Sequence, residues 1–453
     1  MSGAYTRLCS SLLFPVQERL KGHGSVAMLR DLERTQWLAP RGIEDVQLQR
    51  LRAFLQGVGR HVPYYRELFR HHGFDPAAVG SAADLRALPF LYKATIRANV
   101  DALKSDTAGK LVKYNTGGSS GEPLVFYMGM GRVSHDVAAK WRATRWWGVD
   151  IGDPEVVLWG SPVELGKQDR VKALRDRVLR SHLLPAFEMS DERMDRYLDA
   201  IARIRPRMLF GYASALALLA THAEHRGRLM GDCGAKVAFA TGETLYPGQR
   251  AVIERVFGAP VANGYGSRDA GFIAHQCPSG ALHLSAEHIV VELVDGDGHP
   301  VPPGEQGEIV TTHLATDDFP FIRYRTGDVA ALGTEPCACG RGLPVLREVF
   351  GRSTDFIRTK AGNAMHALAL IYEVRDKPGV QAFKLTQEAD YSLDLQLVTA
   401  SGFTAEVESV IRAGILARMG NDAVLTIRRV AAIPPERSGK YRYVVSRVGA
   451  DGV

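Results

Sequence analysis

With 453 residues, 45% of them hydrophobic and 23% charged, the chain has the make-up of a folded globular protein with room for two or three domains. Its formal charge of +6 suits anionic ligands, but 56 basic residues are interspersed with 50 acidic ones, which excludes the blocked basic pattern of a nucleic-acid binder. No apolar run approaches the roughly 18 residues that span a bilayer. Five cysteines without a secretory leader point to a reducing cytoplasm and not to a disulfide scaffold. The opening MSGAYTRLCSSLLFPVQERLKG carries a short apolar patch, Leu12, Leu13 and Phe14, cut by Pro15 and lacking a small-residue cleavage site. It reads as a helix packed on the body and leaves open a peripheral membrane contact through those three residues.

Residues 1–105 read as a mostly helical layer, with Leu51, Leu55 and Val58 at helical spacing and VPYYRELF (Val62 to Phe69) after them. Residues 106–350 alternate strands with helices. Strands are expected at Val156 to Trp159, Met208 to Phe210, Lys236 to Ala240 and Ala259 to Ala262. Helices are expected at Ser134 to Trp147, Asp191 to Arg203, Ser214 to Ala223 and Pro247 to Phe257. A β-rich stretch follows from His283 to Ala331, so the class is α/β: a large layered domain. Residues 351–453 form a small α+β unit, with strands near Phe356 to Lys360, Tyr391 to Val398 and Val424 to Val430 and a helix from Thr404 to Met419. A Gly351-Arg352 junction suits a hinge.

The chemistry-bearing stretches are spread along this order. YNTGGSSGEPLV sets Gly117, Gly118, Ser119, Ser120 and Gly121 after Thr116. Glycines let backbone N–H groups reach phosphate oxygens, and hydroxyls add donors; a Gly/Ser linker has the same composition. Glu122 stands where a Walker loop needs Lys, so this is not that motif. ATGETL follows a strand with Gly242 and Glu243, the latter equally a solvated helix-start residue. NGYGSRDAG contains Tyr265, Gly266, Ser267 and Asp269, with an ordinary left-handed turn as its plain reading. In YRTGD, one carboxylate, Asp328, can accept from both hydroxyls of a ribose, or the stretch is a hairpin turn. IPPERSGKYR puts Lys440 after a glycine near the end of the sequence, where a surface lysine is the alternative. Cys277, His283, Cys337 and Cys339 together offer three thiolates and an imidazole, a closed tetrahedral set for structural Zn²⁺, or three free thiols and an unrelated histidine.

These stretches, in this order, resemble the adenylate-forming superfamily of acyl-CoA synthetases and related ligases, on the phenylacetate–CoA ligase and capsular-polysaccharide-associated (CapK-like) branch. The resemblance spans nearly the whole chain. It implies that Thr116 to Gly121 hold the β- and γ-phosphates of ATP, that Gly242, Glu243, Tyr265, Gly266 and Ser267 line the adenine and acyl side, and that Asp269 binds Mg²⁺ in place of the usual Glu. It implies further that Asp328 and Arg352 contact the ribose, that the lid hinge lies near Thr354 and Asp355, and that relatives carry a similar Cys and His set for zinc. Lys440 would then act from a mobile lid, neutralising charge as pyrophosphate leaves, an electrostatic effect of about 10²–10³ in rate.

The expected activity is ATP-dependent activation of a small carboxylic acid to an acyl-adenylate, with transfer to CoA. Alternatives are adenylyl or acyl transfer to a non-CoA acceptor in cofactor or polysaccharide synthesis, and a non-catalytic nucleotide-binding scaffold. Trp146, Trp147, Tyr212 and Phe239 are candidates for an aromatic acyl-pocket wall. A homo-oligomer is left open.

Overall fold

The computed structural model describes residues 3–115, 124–159, 170–186, 189–352, 356–360, 364–366, 368–374, 377–420, 422–433 and 443–448. The chain forms two compact units, residues 1–326 with 330–349, and residues 327–329 with 350–453.

The first unit opens with helices, among them Ser25–Thr35, Pro40–His61 and Pro63–His72. Leu51, Phe54, Leu55 and Val58 form the buried stripe of the long one, as their spacing dictates. Tyr65 stitches this layer down: its hydroxyl donates to Pro320 O at 3.2 Å and accepts from Ile322 N at 3.0 Å. Next, β1 (Val112–Asn115) and β2 (Val125–Met128) make an antiparallel hairpin pairing Asn115 with Val125.

An eleven-stranded sheet follows. β3 (Glu155–Trp159), β4 (Ser181–Pro185), β5 (Met208–Tyr212), β6 (Val237–Thr241) and β7 (Val261–Ser267) are parallel, in the order β4-β3-β5-β6-β7. MLFGY and VAFAT of β5 and β6 are buried at every position, the expected mark of parallel strands covered on both faces. Helices Asp191–Ile204, Ala213–His225 and Pro247–Phe257 connect them. The sheet continues through β8 (Gly271–Gln276), β9 (Leu282–Leu284), β10 (Ile289–Val294), β11 (Gln306–His313), β12 (Tyr324–Leu332) and β13 (Val345–Arg352). Their order is β8-β9-β13-β12-β11-β10, with antiparallel pairing at β7–β8, β8–β9, β9–β13 and β10–β11. Every strand and helix expected between 134 and 262 is present within a few residues. Two differences stand out. The Arg170–Val178 helix and β4 were not among the expected elements, although Val171, Leu174 and Val178 stand at helical spacing, and YRTGD opens β12 instead of forming a hairpin turn.

The Met130–Trp146 helix packs across this sheet, anchored by a buried ion pair from Arg142 Nη1 to Glu287 Oε1 at 2.6 Å, with Thr35 Oγ1 donating to the same oxygen at 3.1 Å. Removing one partner of such a pair typically costs ~3–5 kcal/mol, because the other charge stays buried.

The second unit carries a four-stranded sheet. β14 (Phe356–Arg358) and β15 (Ala364–His366) form a separate ribbon; β16 (Val380–Gln387), β17 (Leu393–Thr399), β18 (Leu425–Arg429) and β19 (Val444–Ser446) are ordered β18-β17-β16-β19. The Ala405–Met419 helix is capped by Thr404, whose hydroxyl accepts from Val407 N. Among the described residues no helix is long and apolar enough to cross a membrane.

Candidate active site

The carboxyl ends of the parallel strands, where open α/β sheets bind ligands, carry the ATGETL and NGYGSRDAG candidates. Trp159 ends β3 and stacks on Tyr212 at the end of β5, centroids 4.2 Å apart. Gly242 follows β6 with φ +79°, and a Cβ there would press on the Tyr212 ring at 3.2 Å. Thr241 and Gly264 are neighbours in the β6–β7 register, and Thr241 Oγ1 donates to Gly264 O at 2.7 Å. The ATGETL and NGYG turns are therefore side by side. Glu243 is half-buried and not a solvated helix-start residue. One of its oxygens accepts from Ser214 N at 3.0 Å, capping the Ala213–His225 helix, while Oε1 is buried with no hydrogen-bond partner among the described residues. That orphaned acceptor is available to a ligand hydroxyl or amine.

NGYGSRDAG forms a β7–β8 hairpin with a bulge at Tyr265 and Gly266, and a Cβ on Gly266 would overlap Gly271 O. The turn between the strands presents Asp269, which is buried. Ser267 Oγ donates to Asp269 Oδ1 at 2.5 Å and the Tyr324 hydroxyl donates to Oδ2 at 2.6 Å. Burial alone would raise the carboxyl pKa; the two hydroxyls and the charge of Lys93 hold it below the usual range, so Asp269 is ionised. Lys93 is brought there because Leu91 bridges β12, its N–H bonding Arg323 O at 2.9 Å. Buried Arg132 fixes the turn's backbone, donating to Arg268 O at 3.0 Å and Asp269 O at 3.3 Å. Arg268 reaches Asn115 O at 3.3 Å. A cavity of ≈ 10 Å³, room for about one water, lies here, lined among others by Phe126, Arg132, Asp269 and His313.

The glycine-rich stretch 116–123 lies outside the described residues, but its stems do not: Asn115 and Val125 face each other in the β1–β2 hairpin beside the Asp269 turn. Lys440, Thr354 and Asp355 also lie outside the described residues, and of Arg352 only the backbone, at the end of β13, is described. Asp328 sits half-buried on β12.

At the far end of β8 the Cys and His set converges, its ligand atoms all within 4.8 Å of one another. Cys277 Sγ is 3.7 Å from Cys337 Sγ, and Cys339 Sγ is 3.2 Å from His283 Nε2. His283 Nδ1 lies 3.2 Å from Leu343 O, which fixes the proton on Nδ1 and turns the Nε2 lone pair to the thiols. Burial pushes the Cys277 thiol up to about 11.

Two aromatic expectations change. Trp146 belongs to this Cys and His corner: its ring meets His283 at 5.7 Å and its N–H donates to Gln36 Oε1 at 2.7 Å. Phe239 is buried between Phe210 and His275. Trp159, Tyr324 and Arg132 were not singled out from the sequence as site residues. Trp159 ends a strand expected from the sequence, a readable signal; Tyr324 and Arg132 have none, since their partners in the site lie far off in the chain.

A model of the AMP-binding enzyme family matches residues 179–314, the stretch from β4 to the end of β11, and a model of the CapK C-terminal domain matches residues 357–447. The chain belongs to the adenylate-forming superfamily. Within it, it lies on the branch of CapK and the phenylacetate–CoA ligases, and it is an AMP-forming ligase. Among its relatives in the superfamily are protein CapK of Staphylococcus aureus, 22% identical over 415 residues (89% of each chain), and the phenylacetate-coenzyme A ligase of Thermus thermophilus, 25% identical over 337 residues (71% of this chain and 72% of the other). The crystal structure of 2-hydroxyisobutyryl-CoA ligase in the postadenylation state, with a bound acyl-adenylate, has the same fold, with a TM-score of 0.74 at 20% identity over 91% of both chains.

Proposed function

We propose that this enzyme uses ATP to activate a small carboxylic acid in the cytoplasm and passes the acyl group to the thiol of CoA. The observation that carries the reading is the convergence of an ionised, hydroxyl-bridled Asp269 with the two stems of the glycine-rich loop. An acid oxygen attacks the α-phosphorus, the bond to the bridging β-oxygen breaks, and pyrophosphate leaves with that electron pair. The thiol sulfur then attacks the acyl carbon, its proton is lost to solvent, and AMP departs.

In this scheme Thr116 to Gly121 cradle the phosphates, and Gly242, Glu243, Tyr265 and Gly266 take the adenine and acyl side. Asp328 and Arg352 take the ribose. Asp269 is a hard oxygen donor whose two hydroxyl bonds leave lone pairs for Mg²⁺, which supplies charge neutralisation to the phosphates. Lys440 meets the negative charge that builds on the departing oxygen. Cys277, His283, Cys337 and Cys339 fit structural Zn²⁺: four soft donors, no open position and an oriented imidazole. That ion would tie β8 and β9 to the loop before β13.

One feature favours a second reading, transfer to a non-CoA acceptor: residues 357–447 match the C-terminal domain of CapK. ATP–pyrophosphate exchange across a panel of aryl, acyl and hydroxylated acids, each with and without CoA, tests both. Acid-dependent exchange with CoA-dependent AMP release is expected. Exchange without CoA consumption supports the second reading, and no exchange with any acid overturns adenylation itself.

A further inference from the structure

We propose that the N-terminal helix is an interfacial anchor that seats this enzyme on an anionic lipid surface. Ala4–Leu8, Cys9–Leu13 and Phe14–Leu20 run into one another as a single rod, the middle segment being a π-helical turn. Its inner face is fastened to the body. Thr6 Oγ1 donates to Asp153 Oδ1 at 2.8 Å, Tyr5 OH donates to Val178 O at 2.8 Å, and buried Glu18 accepts from Ser25 at 2.6 Å. Phe14 is 4% exposed and packs with Leu29, Leu32 and Trp141, in line with a helix packed on the body, while Leu13 is half-buried. Pro15 does not cut the helix, because the wide turn before it relieves the missing N–H and the crowded carbonyl.

The outer face is what calls for a partner. Leu8, Leu12, Val16 and Leu20 are 45%, 53%, 49% and 84% exposed. They make up four of the eleven large apolar side chains that stand exposed among the described residues. Steps of four would drift about 40° each around a regular α-helix. The π turn, with its i→i+5 bonding, takes up part of that drift and keeps Leu8, Leu12, Val16 and Leu20 closer to one stripe. The same helix is basic outside: Arg7 and Arg19 are exposed, and its one acid, Glu18, is turned inward onto Lys21, His23 and Ser25. The Arg170–Val178 helix, whose end meets Tyr5 and Cys9, adds exposed Leu174. From Arg170 to Arg180 the sequence has five basic residues (170, 172, 175, 177, 180) and one acid, Asp176.

An apolar stripe rimmed by cations is the chemistry of a helix lying at a headgroup boundary. A second copy fits less well. Antiparallel pairing of two such helices would set Arg7 of one against Arg19 of the other with no exposed acid between them, and like charges face to face are unfavourable.

Flotation of the full chain with vesicles decides the matter. The protein is expected to rise with phosphatidylcholine vesicles containing about 30% phosphatidylglycerol and to stay behind with phosphatidylcholine alone. Leu12→Glu with Val16→Glu abolishes flotation at an unchanged melting temperature. Arg7→Gln and Arg19→Gln each weaken partitioning about fivefold. Wild-type flotation by the double variant overturns the proposal, as does equal partitioning onto both vesicles or none onto either. It falls equally if the wild type is a dimer that the double variant splits while vesicles capture nothing.

Discussion

β8 is six residues long, and its two ends hold opposite kinds of corner about 20 Å apart. At its start the Asp269 turn offers one hard carboxylate, held by hydroxyls and by Arg132 on its backbone, beside a small cavity. At its finish Cys277 joins two more thiols and an imidazole that fill every position around a point. The first corner has donors to spare and an opening; the second has neither. One arrangement suits a metal that arrives with a substrate, the other a metal that stays with the fold.

The sharpest way to break this contrast is Cys277→Ser. It is expected to lower zinc from about one per chain to near zero and to cost several kcal/mol of stability, read by metal analysis and denaturant unfolding. Catalysis per folded molecule should hardly change. Next comes Asp269→Asn. Acid-dependent pyrophosphate exchange should fall about 10²–10³-fold, while unfolding free energy moves by less than ~1 kcal/mol, since the amide still meets both hydroxyls. Should the cysteine variant lose exchange and keep its stability, the two ends would not differ in kind. Tyr324→Phe is the milder probe of the first corner. It removes one hydroxyl from an ionised carboxylate, and about a tenfold loss of exchange at saturating acid is expected, partly restored by raised Mg²⁺.

How much of this could be read beforehand follows from where the information sits. The α/β alternation was legible because β5 and β6 are unbroken apolar runs and the helices between them carry apolar residues at helical spacing. Asp269, Glu243 and the Cys and His set were singled out, the first two within short motifs and the last by residue type alone, Cys277 and Cys337 lying 60 residues apart. Tyr324 and Arg132 were not. Their roles come from contacts 55 and 137 residues away in the chain, which only the sheet order and the helix across it create. Phe14 packs inward, as the reading of this patch as a helix on the body has it, and the π turn before Pro15 carries that helix past the proline.

A third group, beneath the Met130–Trp146 helix, refines the comparison by resembling a metal site without the right valence. His135, Asp136 and His313 place potential ligand atoms within 4.8 Å of one another. Yet Asp136 accepts two bonds from Arg132 Nε at 3.0 and 3.1 Å, and His313 Nδ1 accepts from Ala315 N at 3.3 Å. A neutral His313 must then carry its proton on Nε2, which leaves no lone pair there for a cation. His135 instead packs edge-on against His288 and His313, at 5.1 and 4.6 Å, with Nδ1 3.5 Å from Asp136 Oδ1 and neither buried ring nitrogen in a hydrogen bond among the described residues. Burial lowers its pKa despite Asp136, with Arg132 and Arg142 adding to the effect. The folded pKa lies below the unfolded value of about 6.5, so below that pH the unfolded chain binds the extra proton and stability falls as pH falls. His135→Phe keeps a ring of similar shape and removes two unsatisfied nitrogens. It is expected to leave bound zinc unchanged, to shift stability at neutral pH by less than ~1 kcal/mol, and to flatten the acid limb by at most about 1.4 kcal/mol per pH unit, the limit for one proton, read from urea unfolding between about pH 7 and 5. An unaltered acid limb would mean that His135 protonates as readily in the folded protein as in the unfolded chain. Loss of bound metal in the same variant would turn the packed imidazoles into ligands after all.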